Sequence, residues 1–286
     1  MPPQVNKALD MLHEAGYQAY IVGGSVRDIV MGRIPEDYDI ATSAMPDRIK
    51  QVFADMTTVD TGIAHGTVTV VMDTMPLEIT TYRVDKGYSD GRHPDGVSFT
   101  ADLKEDAARR DFTVNSMVYN REEGLIDYFG GIEDIKAGVI RCVGNPAARF
   151  KEDGLRIMRA LRFSSVLGFS IDEETYEAAL QCKSMLSNIS AERLREELCK
   201  YLCGKDVRKR LLADVDILAE VIPELLPMKG FDQKNDHHIY DVLEHTAAAV
   251  ESAEARPALR LAAFFHDIGT VSYTPLRAHE TLSDLV

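Results

Sequence analysis

The sequence lacks three features that would each point to a common class of protein. Its four cysteines form no C-x-x-C pair, which argues against a zinc ribbon or a dithiol redox centre. No apolar run approaches the roughly 20 residues that span a bilayer. The N-terminus has neither the basic start nor the apolar middle of a secretory signal. We therefore expect a cytoplasmic protein with no membrane partner.

Positive charge is also scarce, because 32 Lys and Arg stand against 46 Asp and Glu and the formal net charge is −14. Phosphate neutralisation requires Lys and Arg, so this balance argues against binding of nucleic acid through bulk electrostatics. A local basic strip is nevertheless present. Between residues 140 and 165 there are two acids and six basic residues, namely Arg141, Arg149, Lys151, Arg156, Arg159 and Arg162.

The pattern of apolar residues predicts an α+β protein with its two parts in succession. Residues 4–16 have helical spacing, and the segments AYIV, DYDIAT, GTVTVVM and LEITTYRV are typical of strands. The Gly-, Asp- and Pro-rich segment 86–98 predicts a mobile surface loop. Helical segments are predicted near 147–166, 172–183, 190–203, 206–219 and 239–252. A mixed α/β part therefore gives way to a helical part near residue 140.

The first candidate site combines a glycine pair with two acids. Gly23 and Gly24 lie between a strand and a helix, where the backbone can approach a phosphate. Asp37 and Asp39 follow as a D-x-D on a predicted strand, which places both carboxylates on one face. Two such acids can share a magnesium ion with substrate phosphates. An isolated D-x-D is more often a pair of surface acids, but the upstream glycines make that interpretation weaker here.

Two further segments add candidate residues. Glu78 is the best placed third acid, although it is equally consistent with a solvated strand residue. Arg109 and Arg110 suit bidentate recognition of phosphate, and their plain interpretation is an exposed helix end. Asp153, Arg156, Arg159 and Arg162 recur at three-residue steps, as neighbours on one helix surface do. An acceptor carboxylate beside a guanidinium donor can imitate a base edge, whereas a solvated helix face would look similar in isolation.

Taken together, the motifs resemble one family. GGSVRD, DYDIATSA, HGTVTV, TTYR, RRDFTVNSM and EDGLRIMRALRF occur in the order found in class II tRNA nucleotidyltransferases, the CCA-adding enzymes, and in bacterial poly(A) polymerases. The resemblance covers residues 17 to about 165 and continues more faintly beyond. It implies a polymerase-β-like nucleotidyltransferase head with a mixed sheet and helices, residues 1–140. An all-helical neck that recognises the base, 141–203, and a truncated helical body, 204–270, are expected to follow.

The resemblance also implies roles for individual residues. Gly24 and Arg27 resemble phosphate binders, and Asp37 and Asp39 resemble the Mg²⁺ ligands. The expected contacts to CTP and ATP are Arg110, Asp153, Arg156, Arg159 and Arg162. The implied reaction adds CCA to the 3′ end of tRNA and releases pyrophosphate. The segment Asp90 to Pro94 has the length that favours complete CCA addition over CC addition.

Several alternatives stay open on the sequence. CC addition, A addition and poly(A) synthesis share the same chemistry. His245, His266 and Asp267 resemble part of an HD phosphohydrolase site, which would need a further aspartate downstream, and His237 and His238 are expected to be surface residues. An inactive RNA-binding remnant is the remaining alternative. Residues 271–286 resemble translated transposase-adapter DNA and are predicted to be non-native, and the oligomeric state is left open.

Overall fold

The computed structural model describes residues 1–60, 62–86, 96–231 and 240–270. The chain forms two compact units, Met1–Glu152 and Asp153–Val286. The segment Asp90 to Pro94, His237, His238 and the tail from residue 271 lie outside the described residues. Of the predicted loop 86–98, Lys86 and residues 96–98 belong to strands instead.

The first unit is built on a mixed sheet, which confirms the predicted α+β class. Its strands are β1 Ala19–Val22, β2 Asp39–Thr42, β3 Thr57–Val59, β4 Thr67–Met72, β5 Met75–Thr81, β6 Arg83–Lys86, β7 Gly96–Phe99, β8 Val118–Asn120, β9 Gly124–Ile126 and β10 Val139–Ile140. Its helices are α1 Pro3–Glu14, α2 Gly24–Val30, α3 Pro46–Val52, α4 Leu103–Ala108, α5 Gly131–Ala137 and α6 Pro146–Glu152, with short 3₁₀ turns at Ile63–His65 and Thr113–Asn115.

Seven of these strands form one sheet in the order β3-β4-β5-β2-β1-β8-β9. The pairing of β2 with β5 is parallel, and the other pairs in this sheet are antiparallel. One face is apolar: Ile21, Ile40 and Ile79 are fully buried there, and α1 packs Leu9 and Leu12 into the same cluster. Since side chains alternate along a strand, the residues before and after each of these isoleucines point to the opposite face.

The second unit is helical in its described part. Its elements are α7 Leu155–Leu167, β11 Ser170–Ile171, α8 Glu173–Cys182, a 3₁₀ segment Lys183–Asn188, α9 Ala191–Leu202, α10 Val207–Leu218, α11 Leu225–Met228, α12 Val242–Ser252 and α13 Pro257–Phe265. Most of α7 is buried, including Met158 and Leu161. We find no helix among the described residues with the length and apolar character needed to cross a membrane.

One predicted helix is divided in two. The segment 147–166 was expected to be continuous, but α6 ends at Glu152 and α7 begins at Leu155. A Cβ on Gly154 would lie 2.9 Å from the carbonyl oxygen of Met185, so glycine allows the chain to pass close to that backbone. The placement of Asp153 on a helix surface was therefore wrong: it precedes α7, and its Oδ1 accepts the Leu155 N–H at 3.0 Å.

Candidate active site

The turn between β1 and α2 brings backbone close to charged side chains. Gly23 has φ +74°, which an L side chain rarely adopts. A Cβ there would lie 3.3 Å from Nη1 of Arg110 and 4.0 Å from Oδ2 of Asp39. Gly24 follows at the start of α2, where a Cβ would lie 3.5 Å from Nη2 of Arg27. The glycine pair thus leaves room beside two arginines and a carboxylate.

The two best aligned carboxylates come from neighbouring strands. Asp39 opposes Glu78 in the parallel pairing of β2 with β5, and both residues are exposed, whereas Ile40 and Ile79 beside them are buried. Directly paired residues share a face of the sheet, so the two acids project from the face opposite the apolar core. Strand β2 begins at Asp39, so Asp37 precedes the strand instead of lying on it. Asp37 is also exposed.

These acids act on one another electrostatically. Although Asp39 as a whole residue is exposed, surrounding protein atoms partly remove its carboxylate from water, which is the first cause that raises its pKa to about 6. The charges of Asp37 and Glu78 raise the pKa further, while Arg110 lowers it. The part of this shift that comes from Asp37 and Glu78 reflects repulsion between neighbouring negative charges, which a bound cation would offset. A hard divalent ion prefers such oxygen donors, so the donor set fits a metal. The ligand atoms of these three acids do not form a group mutually within 4.8 Å.

Two arginines face this region, each held by a second residue. Arg27 contacts Asp28 at 2.9 Å and donates to Oδ1 of the buried Asn115 at 2.9 Å. Nη2 of Arg110 lies 3.3 Å from Oδ2 of Asp106. Sequence reasoning did not identify Asn115 or Asp106. The spacing of Asp106 to Arg109 and Arg110, at i+3 and i+4, was the available signal for the second of them.

The second unit carries the remaining candidates. Asp153 accepts from Nη2 of Arg193 at 3.1 Å, and Arg162 lies 2.5 Å from Glu197. Arg193 and Glu197 are both on α9, and neither was identified from the sequence because the pairs are distant in the chain. Arg156 is only 8% exposed, and the guanidinium of Arg159 lies 5.4 Å from the Phe163 ring centre. A freely solvated basic face does not describe these side chains.

The predicted site residues thus fall into two groups, one in each unit. The first group surrounds the glycine turn and the sheet acids: Gly24, Arg27, Asp37, Asp39, Glu78 and Arg110. The second group lies before and along α7: Asp153, Arg156, Arg159 and Arg162.

Comparison with known proteins decides the family. Residues 19–141 match the poly A polymerase head domain, and residues 168–229 match a region described as the probable RNA and SrmB-binding site of polymerase A. The CCA-adding enzyme of Lactobacillus delbrueckii subsp. bulgaricus is 48% identical over 233 residues, which are 82% of this chain and 57% of that enzyme. The chain belongs to the family of CCA-adding enzymes and poly(A) polymerases.

Other members of this family are similar at the level of sequence and structure. The CCA-adding enzyme of Bacillus velezensis is 42% identical over 90% of this chain and 63% of its own length. The crystal structure of the Bacillus stearothermophilus CCA-adding enzyme in complex with CTP matches with a TM-score of 0.74 and 36% identity, over 97% of this chain and 66% of that one. The chain spans a little over half the length of the curated relatives it matches.

Proposed function

We propose that this protein adds C, C and A to the 3′ end of tRNA in the cytoplasm, using CTP and ATP and releasing pyrophosphate. The observation that carries this proposal is the Asp39 carboxylate, which lies among Asp37, Glu78 and Arg110 beside the Gly23 turn. Metal-dependent nucleotidyl transfer needs acids for a cation and a nearby donor for phosphates. The similarity to CCA-adding enzymes supports the choice of substrates.

In the proposed reaction the terminal 3′-hydroxyl of the RNA loses its proton to water, and its oxygen bonds to the α-phosphorus of the incoming nucleotide. The bond from that phosphorus to the oxygen bridging to the β-phosphate breaks, and pyrophosphate leaves with both electrons of that bond. Asp37 and Asp39, with Glu78 as the third acid, would hold Mg²⁺, which lowers the cost of deprotonating the hydroxyl. Arg27 and Arg110 would bind the triphosphate, and Gly24 would admit it close to the backbone.

We assign base selection to the second group of residues. Asp153 would accept a hydrogen bond from the amino group that cytosine and adenine share, and Arg156 would donate to the adjacent ring acceptor. Guanine and uracil reverse this pattern and would leave polar groups unpaired. Arg159 and Arg162 complete the proposed contacts to CTP and ATP. The division into a head at 1–140, a neck at 141–203 and a body at 204–270 belongs to the same proposal.

The experiment that tests this function supplies purified protein with tRNA lacking its last three nucleotides, Mg²⁺ and each labelled nucleotide in turn. Incorporation of C followed by A supports CCA addition. C alone or A alone identifies the partial enzymes, and long A tracts on any RNA identify a poly(A) polymerase. Absence of incorporation despite tRNA binding identifies an RNA-binding remnant.

A second candidate function has its own geometric support. The Nε2 atoms of His245 and His266 are 3.4 Å apart, and Oδ2 of Asp267 lies 3.6 Å and 3.1 Å from them respectively. These three ligand atoms form a group mutually within 4.8 Å that could hold a metal ion. The corresponding activity is phosphohydrolase action. Hydrolytic ring opening of cyclic nucleotides to nucleoside monophosphates, lost in His266→Ala while nucleotide incorporation is retained, would support it.

A further inference from the structure

Asp106 is a buried acid that the proposed chemistry has not yet used. It lies on α4 and is 1% exposed. Its Oδ1 accepts from Arg109 at 2.9 Å and from the backbone N–H of Arg83 at 3.2 Å, while its Oδ2 lies 3.3 Å from Nη2 of Arg110. Removing a carboxylate from water is costly unless it is fully paired, and these three donors supply that pairing.

The geometry at Arg110 separates the two ends of its guanidinium. Nη2 is engaged by Asp106, whereas Nη1 is the nearest atom to the position that a Cβ on Gly23 would occupy. The Nε atom is buried and has no hydrogen-bond partner. One end of the side chain is therefore fixed within the protein, and the other end faces the glycine turn.

Asp37, Asp39 and Glu78 are alternative ion-pair partners for Arg110, so the contact with Asp106 keeps its guanidinium away from them. The negative charges of Asp37 and Glu78 act on Asp39, and Arg110 is close enough to lower the pKa of Asp39. Nevertheless Arg110 forms its ion pair with Asp106 and none with those three acids. A long, flexible guanidinium without an anchor would be drawn toward three carboxylates, and it would then neutralise them in place of a cation.

We propose that Asp106 is a positioning residue for nucleotide binding: it holds one end of Arg110, so that the other end faces the triphosphate at the Gly23 turn and stays clear of the acids. This inference rests on the proposed function, because it takes Arg110 as a triphosphate ligand. Asp106 pairs with both Arg109 and Arg110, so these three side chains together carry one net positive charge. That charge remains available to the phosphates.

The test compares Asp106→Asn with Glu105→Gln, the same chemical change at the preceding, exposed residue of α4. Calorimetry measures the Kd of CTP with Mg²⁺ in the absence of tRNA, so the readout does not depend on turnover. An asparagine has an amide N–H₂ in place of one carboxylate oxygen. This group cannot accept from Arg109 or Arg110, so the hydrogen bond to one of these arginines is lost. We expect Asp106→Asn to weaken CTP about tenfold, equivalent to ~1.4 kcal/mol, and Glu105→Gln to change the Kd less than about twofold.

A double-mutant cycle separates positioning from a general effect on the fold. If Asp106 acts through Arg110, then Asp106→Asn weakens CTP no further in an Arg110→Ala background. Additive losses, or an unchanged Kd in the single variant, would overturn the inference. If wild-type protein binds no nucleoside triphosphate, the proposed function fails as well, and that outcome is distinct from a wild type that binds and a variant that binds equally.

Thermal unfolding establishes that each variant is folded at the assay temperature. If Asp106→Asn is not, Arg110→Lys provides the second measurement, because it keeps the charge but offers one ammonium that Asp106 would hold away from the glycine turn. We expect a similar loss of CTP affinity in Arg110→Lys. An unchanged Kd in that variant would contradict the role of a two-ended, anchored guanidinium.

Discussion

Asp39 has a raised pKa because its carboxylate is removed from water and because the charges of Asp37 and Glu78 oppose its ionisation. Removing the charge should therefore relieve the head in the absence of metal while abolishing the reaction. We expect Asp39→Asn to lose nucleotide incorporation entirely and to unfold at a temperature equal to or above that of wild type in chelator. Activity assays and thermal unfolding measure the two effects.

Asp55→Asn, at an exposed position in the same unit, is the matched control and should alter neither quantity. A large fall in the unfolding temperature of Asp39→Asn would mean that the carboxylate is structurally required. It would refute the prediction that the Asp39 charge lowers the stability of the head.

Asp153 has two partners, the neighbouring Leu155 N–H and Arg193 of α9, and a carboxylate has further lone pairs that can accept from a base. We expect Asp153→Ala to lower the ratio of kcat/KM for CTP to kcat/KM for UTP at least about tenfold. This factor is roughly the contribution of one charge-assisted hydrogen bond. The measurement is kcat/KM for each nucleotide. Glu196→Ala, an exposed acid on α9, should leave the ratio unchanged. If Asp153→Ala excludes UTP and GTP as strictly as wild type does, Asp153 does not read the base.

At the scale of single elements, α5 packs unusually close to the 3₁₀ turn Thr113–Asn115. A Cβ on Gly131 would lie 2.3 Å from the carbonyl oxygen of Thr113 and 3.0 Å from Cγ of Met117. Backbone cannot move aside as a side-chain tip can, so we expect Gly131→Ala to lower the free energy of unfolding by about 3 kcal/mol. Urea denaturation measures this change.

Gly124→Ala separates crowding from backbone strain. Gly124 has φ +75° with no atom within 4 Å of an added Cβ, so only conformational strain of roughly 1 kcal/mol is expected. Equal losses in the two variants would show that contact with Thr113 is not the cause.

Asp106 joins α4 to the start of β6 and should make the head sensitive to acid. Burial alone would raise its pKa, but the positive charges of Arg110 and Arg109 and the bond from Arg83 lower it below 3.8. A group with a lowered pKa in the folded state stabilises above its unfolded pKa and loses that contribution as pH falls through its folded pKa. We therefore expect the free energy of unfolding of wild type to exceed that of Asp106→Asn by its largest amount at neutral pH. This difference should become smaller below about pH 4.

Urea denaturation of both proteins at a series of pH values measures that difference. Glu105→Gln should show only a small difference from wild type throughout. A difference that is constant from neutral pH to about pH 3 would show that the Asp106 charge does not contribute.

The elements and residues that sequence reasoning identified are those with local signals. The glycine turn at the start of α2 and the position of Asp39 on a strand could be predicted because turn and strand chemistry act over a few residues, whereas the prediction that Asp37 lies on the same strand was wrong. The break at Asp153 could not, because Gly154 is required by the backbone of Met185, which is distant in the chain. The same applies to the Arg193–Asp153 and Arg162–Glu197 pairs. Asp106 resembled any helical acid until its burial was known.

For the whole molecule, the net charge of −14 limits how RNA can be held. Of the six basic residues between 140 and 165, five are engaged within the protein. Arg141 pairs with Asp134, Arg149 with Glu152 and Arg162 with Glu197, Arg159 lies over the Phe163 ring, and Arg156 is buried with partners in the protein. Each neutralised phosphate contributes about −0.9 to the slope of log K against log salt. We expect a slope shallower than about −3 for tRNA lacking its CCA end, measured by fluorescence anisotropy.

Lys151, exposed on α6, offers a check on that interpretation. Lys151→Gln should reduce the magnitude of the slope by about 1 if it contacts a phosphate. A wild-type slope of about −6 or steeper would show that most basic residues of the strip bind RNA despite their internal ion pairs.

The pairing of Asp39 with Glu78 has a consequence for how errors in assembly are expressed. Two strands far apart in the chain must align residue by residue before these acids share a face, and a slip of one position would send one acid into the apolar layer beneath. Misaligned molecules would therefore have no nucleotide-adding activity, instead of slow or inaccurate activity. The proposed cation site thus depends on the register of the sheet, and only heads with the correct strand pairing would be active.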